Sequence, residues 1–318
     1  MVAAATKSAF EVMTEAGSGD AGALAVGLRR GVTGLGLRAL AAKALHAAAA
    51  APERISDIYE NASAGWLGGP VFAPKLRTDE PLPISPAFWE AFWELVDLPP
   101  DTRQRQFAGR VMGLAGELDP GINARMAPVA REFPGVVQAA AGRIPRRHDL
   151  DALANHPPAS LGYAYRQAML KGGGLAEPFD HVVPLLRHMP PPLNHINVQV
   201  IQSLTLWRLV AGYSSAWMDE VAMGGFLMAQ LGHHYSALST ATTLTIIALK
   251  RPKGLEVTLD CIFRGWAHGR ETPPLISVSW DEFWALRMDQ VREAAGITPF
   301  DSPYAAAMRR AHSEATKH

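Results

Sequence analysis

Cysteine is almost absent: Cys261 stands alone among 318 residues. One thiol excludes an internal disulfide and any cysteine-built zinc cage. Its setting, Leu-Asp-Cys-Ile-Phe at 259–263, is that of a small buried hydrophobe rather than a nucleophile. The same scarcity fits a reducing compartment. An excess of either charge is missing too. The 30 basic and 30 acidic side chains cancel, and the isoelectric point lies near 7.2. That balance gives no electrostatic ground for nucleic acid as a partner. No apolar run approaches the roughly 18 to 20 residues that a membrane-spanning helix needs. The polar N-terminus has no compact signal-peptide core. No Gly-rich phosphate loop follows a strand-like run, and Lys-Gly-Gly-Gly-Leu-Ala-Glu-Pro (171–178) reads as a loop. No internal repeat is evident.

What the chain does contain is helical periodicity. In Ser-Pro-Ala-Phe-Trp-Glu-Ala-Phe-Trp-Glu-Leu (85–95), Phe88, Phe92 and Leu95 share one stripe. Ser85 followed by Pro86 predicts the helix start, with serine as N-cap and proline at the first helical position. A second helix follows residues 99–101, with Asp101 or Thr102 as its cap. Residues 218–232 predict another. Residues 279–297 predict one more, opened by a Ser279–Glu282 capping box and stopped by Gly296. Proline clusters at 157–158, 190–192 and 273–274 mark helix boundaries. The expectation is an all-α protein in one large domain or two smaller ones.

Four segments are expected. Residues 1–52 form an Ala-rich segment that is flexible or lies on a membrane. Residues 53–150 form a helical N-terminal region, 151–300 the main helical domain, and 301–318 a tail. The membrane reading rests on residues 21–51, which carry Arg29, Arg30, Arg38 and Lys43 and no acid. Such a segment suits an anionic membrane surface, a transit-type role, or simply an Ala-rich helix.

The stretch Leu-Thr-Leu-Trp-Arg-Leu-Val-Ala-Gly-Tyr-Ser-Ser-Ala-Trp-Met-Asp-Glu (204–220) has the outline of a metal motif. Positions i and i+4 of a helix share a face, so two histidines there can hold one metal, and a carboxylate on the next helix can close the site. Here the i, i+4 pair is Leu204 and Arg208, with Thr205 beside the first and Glu220 twelve residues after Arg208. Only Glu220 readily binds a cation. His195, Gln199 and Gln202 share a second stripe, but residue 204 lies nine positions from 195, about 180° around the axis. That stripe cannot rebuild the site, and His195 reads as a cap or interface residue. His148-Asp149 has Ala152 at i+4. His233 and His234 are adjacent and diverge by about 100°, so one buried and one exposed histidine is the expectation.

Residues 153–297 resemble the Coq-four family of coenzyme Q biosynthesis proteins. Three segments carry the resemblance. His-Pro-Pro-Ala-Ser-Leu-Gly-Tyr-Ala-Tyr (156–165) is similar to its Pro-x-x-(Ser/Thr)-Leu-Gly-x-x-Tyr segment. Residues 206–230 are similar to its centre. Residues 263–297, with Arg-Gly pairs, Pro-Leu, a Trp-acid pair and a final Arg…Gly-Ile, are similar to its close. The family signature His-Asp-x-x-His-x11-Glu falls on Leu204, Thr205, Arg208 and Glu220. The resemblance implies an all-α bundle and a polyprenyl-type ligand. With three of four signature positions replaced, neither a metal nor another cofactor is expected.

Arg208 and Glu220 are expected to form an ion pair in the altered site. Met223, Gly224 and Phe226 are expected to line either a close helix contact or a tunnel for a prenyl chain. Three functional readings follow. The first is a ubiquinone-biosynthesis-like protein that binds an isoprenoid or other hydrophobic intermediate. The second is a metal-free enzyme in which Arg208, Glu220 and Tyr213 are the candidate catalytic groups. The third is a structural partner of an active homologue. A homo-oligomer or a biosynthetic complex, a cytoplasmic location and contact with a membrane surface are the accompanying expectations.

Overall fold

The structure, a computed structural model, describes residues 1–32, 34–73, 79–99, 102, 104–144, 146–171 and 182–304. The loop expected at 171–178 and the cap expected at Asp101 lie outside these residues, apart from Lys171. So does the tail beyond residue 304. Among the described residues the regular elements are helices, and β pairing is confined to an isolated bridge between Ser160 and Arg287. The first half holds α1 (Ala4–Ala16), α2 (Ala21–Arg29), α3 (Leu35–Ala49), α4 (Ile55–Leu67), α5 (Pro86–Val96), α6 (Gln104–Ala115), α7 (Ile122–Arg131) and α8 (Val136–Ala140). The second holds α9 (Leu161–Lys171), α10 (Leu193–Ala211), α11 (Trp217–Leu231), α12 (His234–Lys250), α13 (Leu255–Glu271) and α14 (Met288–Ala295). The all-α expectation holds. No helix among the described residues is long and apolar enough to cross a membrane.

The Ala-rich segment lies in the interior. Every residue from Leu40 to Ala51 is buried. Alanine has almost no side chain, so neighbouring helices approach α3 from several sides at once, and α1, α2 and α12 all pack on it. Its polar residues are used inward. Lys43 Nζ donates to the Gly17 carbonyl at 3.0 Å, and His46 Nδ1 donates to the Thr14 carbonyl at 2.9 Å. His234 Nε2 reaches the Ala48 carbonyl at 2.6 Å. This burial leaves residues 40–51 no face for a bilayer, while Arg29, Arg30, Leu35 and Arg38 of the same segment are exposed. His234 also departs from expectation, since burial depresses the pKa of both His233 and His234.

The boundaries expected near 52 and 150 do not separate cores. From α4, Ser63 Oγ donates to the Phe263 carbonyl at 3.1 Å and Trp66 Nε1 to Asp260 at 3.1 Å. Trp266 Nε1 returns the contact to Glu60 at 3.1 Å. The N-terminal helices complete the surface that α12 and α13 leave apolar.

Helix α5 begins as expected: Ser85 Oγ accepts from the Phe88 amide at 3.0 Å, with Pro86 at the first position. The helix expected from Ser279 does not form there. Residues 280–282 make a single 3-10 turn without a side-chain cap, and α14 starts only at Met288, boxed by Arg287 and Gln290. Two carbonyls explain the break. Trp284 O accepts from the Gly162 amide at 2.9 Å, and Leu286 O accepts from the Leu161 amide at 2.8 Å. They satisfy the open amides at the start of α9, so they are not free to build a helix of their own. Gly296 closes α14 in the left-handed conformation, as expected.

The central contact is α11 against α13, and glycine makes it possible. A Cβ on Gly225 would strike the Ile262 carbonyl, and one on Gly265 would strike the Ala222 carbonyl. Gly269 lies four residues on, on the same face, where a Cβ would stand 2.7 Å from the Phe226 carbonyl. Backbones this close need residues without side chains at the crossing. Gln230 locks the pair, donating to the Gly269 and Thr272 carbonyls at 2.7 and 2.8 Å and accepting from the Leu275 amide at 3.0 Å. Cys261 is buried in α13, and burial pushes its thiol up to about 12, as suits a packing residue.

Candidate functional site

The turn from α10 to α11 carries the motif residues. Helix α10 ends at Ala211 because Gly212 takes the left-handed conformation at φ 83°. Every carbonyl of its last turn has a partner. Arg208 O accepts from the Tyr213 amide at 2.9 Å, and Ala211 O from the Phe300 amide at 2.7 Å. Arg292 of α14 donates to the Leu209 and Val210 carbonyls at 3.0 and 2.9 Å. The turn itself is pinned by Asp219, whose Oδ2 accepts from the Ser214 amide at 2.8 Å and its hydroxyl at 2.5 Å. The expected pair of helices joined around Gly212 and Ser215 is therefore present.

This turn brings Arg208 and Glu220 together as a salt bridge, with side chains 20% and 19% exposed. Each charge also complements its own helix. Arg208 stands in the last turn of α10, and Glu220 in the first turns of α11. Glu220 acts across to α12, where burial, followed by the Glu220 charge, pushes the Tyr235 phenol up to about 12.

A divalent cation does not fit these residues. Leu204 has no lone pair, Thr205 offers a neutral hydroxyl, and Arg208 is all donor. Glu220 is left as the one anionic ligand, and its partner is the guanidinium. Among the described residues no three His, Cys, Asp or Glu side chains gather as a metal site.

Tyr213 points elsewhere. Its hydroxyl meets His268 Nδ1 at 2.7 Å, and His268 Nε2 meets the Thr298 carbonyl at 2.8 Å. A carbonyl only accepts, so Nε2 carries the proton and Nδ1 accepts from the phenol. Phe300 stacks on Tyr213 with centroids 4.6 Å apart. Burial, then the Asp219 charge, raises the phenol well above its usual value. Such a group neither gives nor takes a proton readily near neutrality, and no hydrogen bond among the described residues joins it to Arg208 or Glu220. Met223 and Phe226 are buried in the core. Gly224 is half-buried, facing Thr240 of α12. These placements are those of helix packing.

The opposite side of α10 looks onto a cavity of about 480 Å³, lined in part by His148, Gln199, Gln202, Trp280 and Trp284. His195 Nε2 contacts Gln199 Oε1 at 3.0 Å, and Gln199 Nε2 donates to the Ile276 carbonyl at 3.0 Å. Sequence reasoning found the 195–199–202 stripe but not this cavity, whose other walls come from 146–156 and 278–284.

No family model matches the chain, and no curated protein matches it. A solved structure does. It is the 2.85 Å crystal structure of a Nostoc punctiforme PCC 73102 protein provisionally assigned to ubiquinone biosynthesis. The two share 21% identity at a TM-score of 0.50, over 66% of this chain and 96% of the other. The likeness is one of fold: an all-α arrangement with room in this chain for a further third of its length.

Proposed function

We propose that this chain is a ubiquinone-biosynthesis-like protein that holds an isoprenoid or other hydrophobic intermediate along α10 and α11 without metal chemistry. The observation that carries the reading is the Arg208–Glu220 salt bridge, which stands where the signature of the resembling family would gather its ligands. The fold likeness to a protein of ubiquinone biosynthesis supports the same assignment. The surroundings suit an apolar guest. On α10, Leu204 shares the face of Arg208. On α11, Trp217 and Gly224 share the face of Glu220, and Val221 borders that face beside Trp217 and Gly224. The ion pair draws these two stripes side by side. Leu204 and Val221 are half-buried and Trp217 is 49% exposed, so the strip presents apolar surface next to one neutralised charge pair.

Trp217 supplies the test. Titration with geranylgeraniol should change its fluorescence saturably, and Val221→Asp should abolish the change while the helical circular dichroism stays intact. A signal that never saturates, or one indifferent to Val221→Asp, would overturn the reading.

A further inference from the structure

We propose that the turn between α2 and α3 docks this protein on a bilayer that carries anionic phospholipid. The contact joins the apolar side chains of Val32 and Leu35 to the guanidiniums of Arg30 and Arg38. It uses neither the strip beside Arg208 and Glu220 nor the cavity behind α10.

The first observation is apolar exposure on an ordered turn. Val32 is 61% and Leu35 71% exposed, and among the described residues only Met1 is a more exposed large apolar side chain than Leu35. The turn stands clear of the rest of the molecule, since a Cβ built on Gly31 or Gly34 would meet no atom within 4 Å. It is ordered all the same. Gly31 and Gly34 take positive φ angles of 87° and 80°. The Gly27 carbonyl accepts from the Arg30 and Val32 amides at 3.1 and 2.9 Å, and the Leu28 carbonyl from the Gly31 amide at 3.0 Å. Backbone bonds thus hold two apolar side chains out in water at a fixed place, a cost that burial in an apolar medium would recover.

The second is charge of one sign. Arg29, Arg30 and Arg38 are exposed, and none makes an ion pair among the described residues. Arg29 lies over Gly68 at the end of α4, which brings the exposed Leu67 to the same corner. Helices α2 and α3 contain no acid. Asp20 caps the opposite end of α2, where it accepts from the Ala23 amide at 2.9 Å. On α4, Asp57 and Glu60 lie in the first half, away from Leu67, and Glu60 is engaged by Arg270 and Trp266. The corner is therefore basic without a local counter-charge. An anionic lipid surface supplies that charge, and each arginine near the headgroups strengthens binding about fivefold.

A protein partner suits the turn less well. A stable protein interface takes roughly 20 to 30 residues a side. A projecting turn with two apolar tips and flanking arginines suits shallow insertion among headgroups instead. Because residues 40–51 are buried, α3 meets the bilayer with its first turns only and does not lie along it.

The test floats the full chain with vesicles of phosphatidylcholine, alone or mixed with phosphatidylglycerol. The chain should bind the mixed vesicles at least about tenfold more tightly, and less tightly as salt rises. Joint Arg30→Ala and Arg38→Ala substitution should remove most of that preference. Val32→Ser with Leu35→Ser should weaken binding to the mixed vesicles at least about tenfold. Equal binding to both vesicles, or binding untouched by either pair of substitutions in folded protein, would overturn the proposal. So would retention on polyglutamate without binding to vesicles, which would assign the turn to an acidic protein.

Discussion

The two faces of α10 differ in what covers them. On one, Arg208 and Glu220 neutralise each other, and every carbonyl of the adjoining helix end has a donor. On the other, Trp280 Nε1, Gln202 Oε1 and His148 Nε2 have no partner among the described residues. Unpartnered buried atoms stand beside the ion pair too, at Arg208 Nε and Asp219 Oδ1. One helix therefore separates a charge pair closed on itself from an open cavity.

Acid should test the molecule hardest, and it loads the two faces unequally. His148 and His195 stand at the cavity face, while His46, His233, His234 and His268 lie elsewhere in the interior. Burial lowers the pKa of all six. Below about pH 6.5 the unfolded chain then binds more protons than the folded one. The stabilisation is fully present above that pH and is lost as pH falls through the folded values. For His233, whose folded value is about 4, this amounts to about 3 kcal/mol. Thermal unfolding followed from pH 7.5 to 4 should show a steadily falling Tm, and His195→Gln should shallow the fall. A flat profile would show that these imidazoles titrate normally.

Breaking the ion pair should come next in size. The pair is about one-fifth exposed, so Arg208→Met should cost about 1 to 3 kcal/mol, between the surface and the fully buried cases. Adding Glu220→Gln should restore most of the loss, because it removes the carboxylate left without a partner. Chemical denaturation of the two singles and the double measures this, and additive losses would separate the two side chains energetically.

The smallest effect has the opposite sign. Gln202→Leu removes an unsatisfied acceptor, so it should leave stability unchanged or raise it by up to about 1 kcal/mol. The same denaturation series reads it. A loss like that of Arg208→Met would mean that Gln202 already has a partner.

Much of this arrangement was legible in the sequence where the signal is local. Ser85-Pro86 announces α5, Gly212 stops α10, and a carboxylate twelve residues after Arg208 finds it across one tight turn. The rest depends on contacts between distant segments. The residues after Ser279 read as a helix until the start of α9 takes the carbonyls of Trp284 and Leu286. The Ala-rich α3 leaves a surface helix and a plain Ala-rich helix equally open, because alanine has no strong preference for the core; only its neighbours show that residues 40–49 are buried. The cavity is assembled from three separated stretches, and only the 195–199–202 stripe hints at it.

The proposed function holds that Leu204, Thr205, Arg208 and Glu220 occupy the geometry of a metal site whose ligands have been exchanged. The most direct measurement restores them. Leu204→His, Thr205→Asp and Arg208→His, combined in one chain, should produce stoichiometric zinc binding by isothermal titration calorimetry, and adding Glu220→Gln should weaken it sharply. A folded triple variant that binds zinc no better than the parent chain would contradict the account.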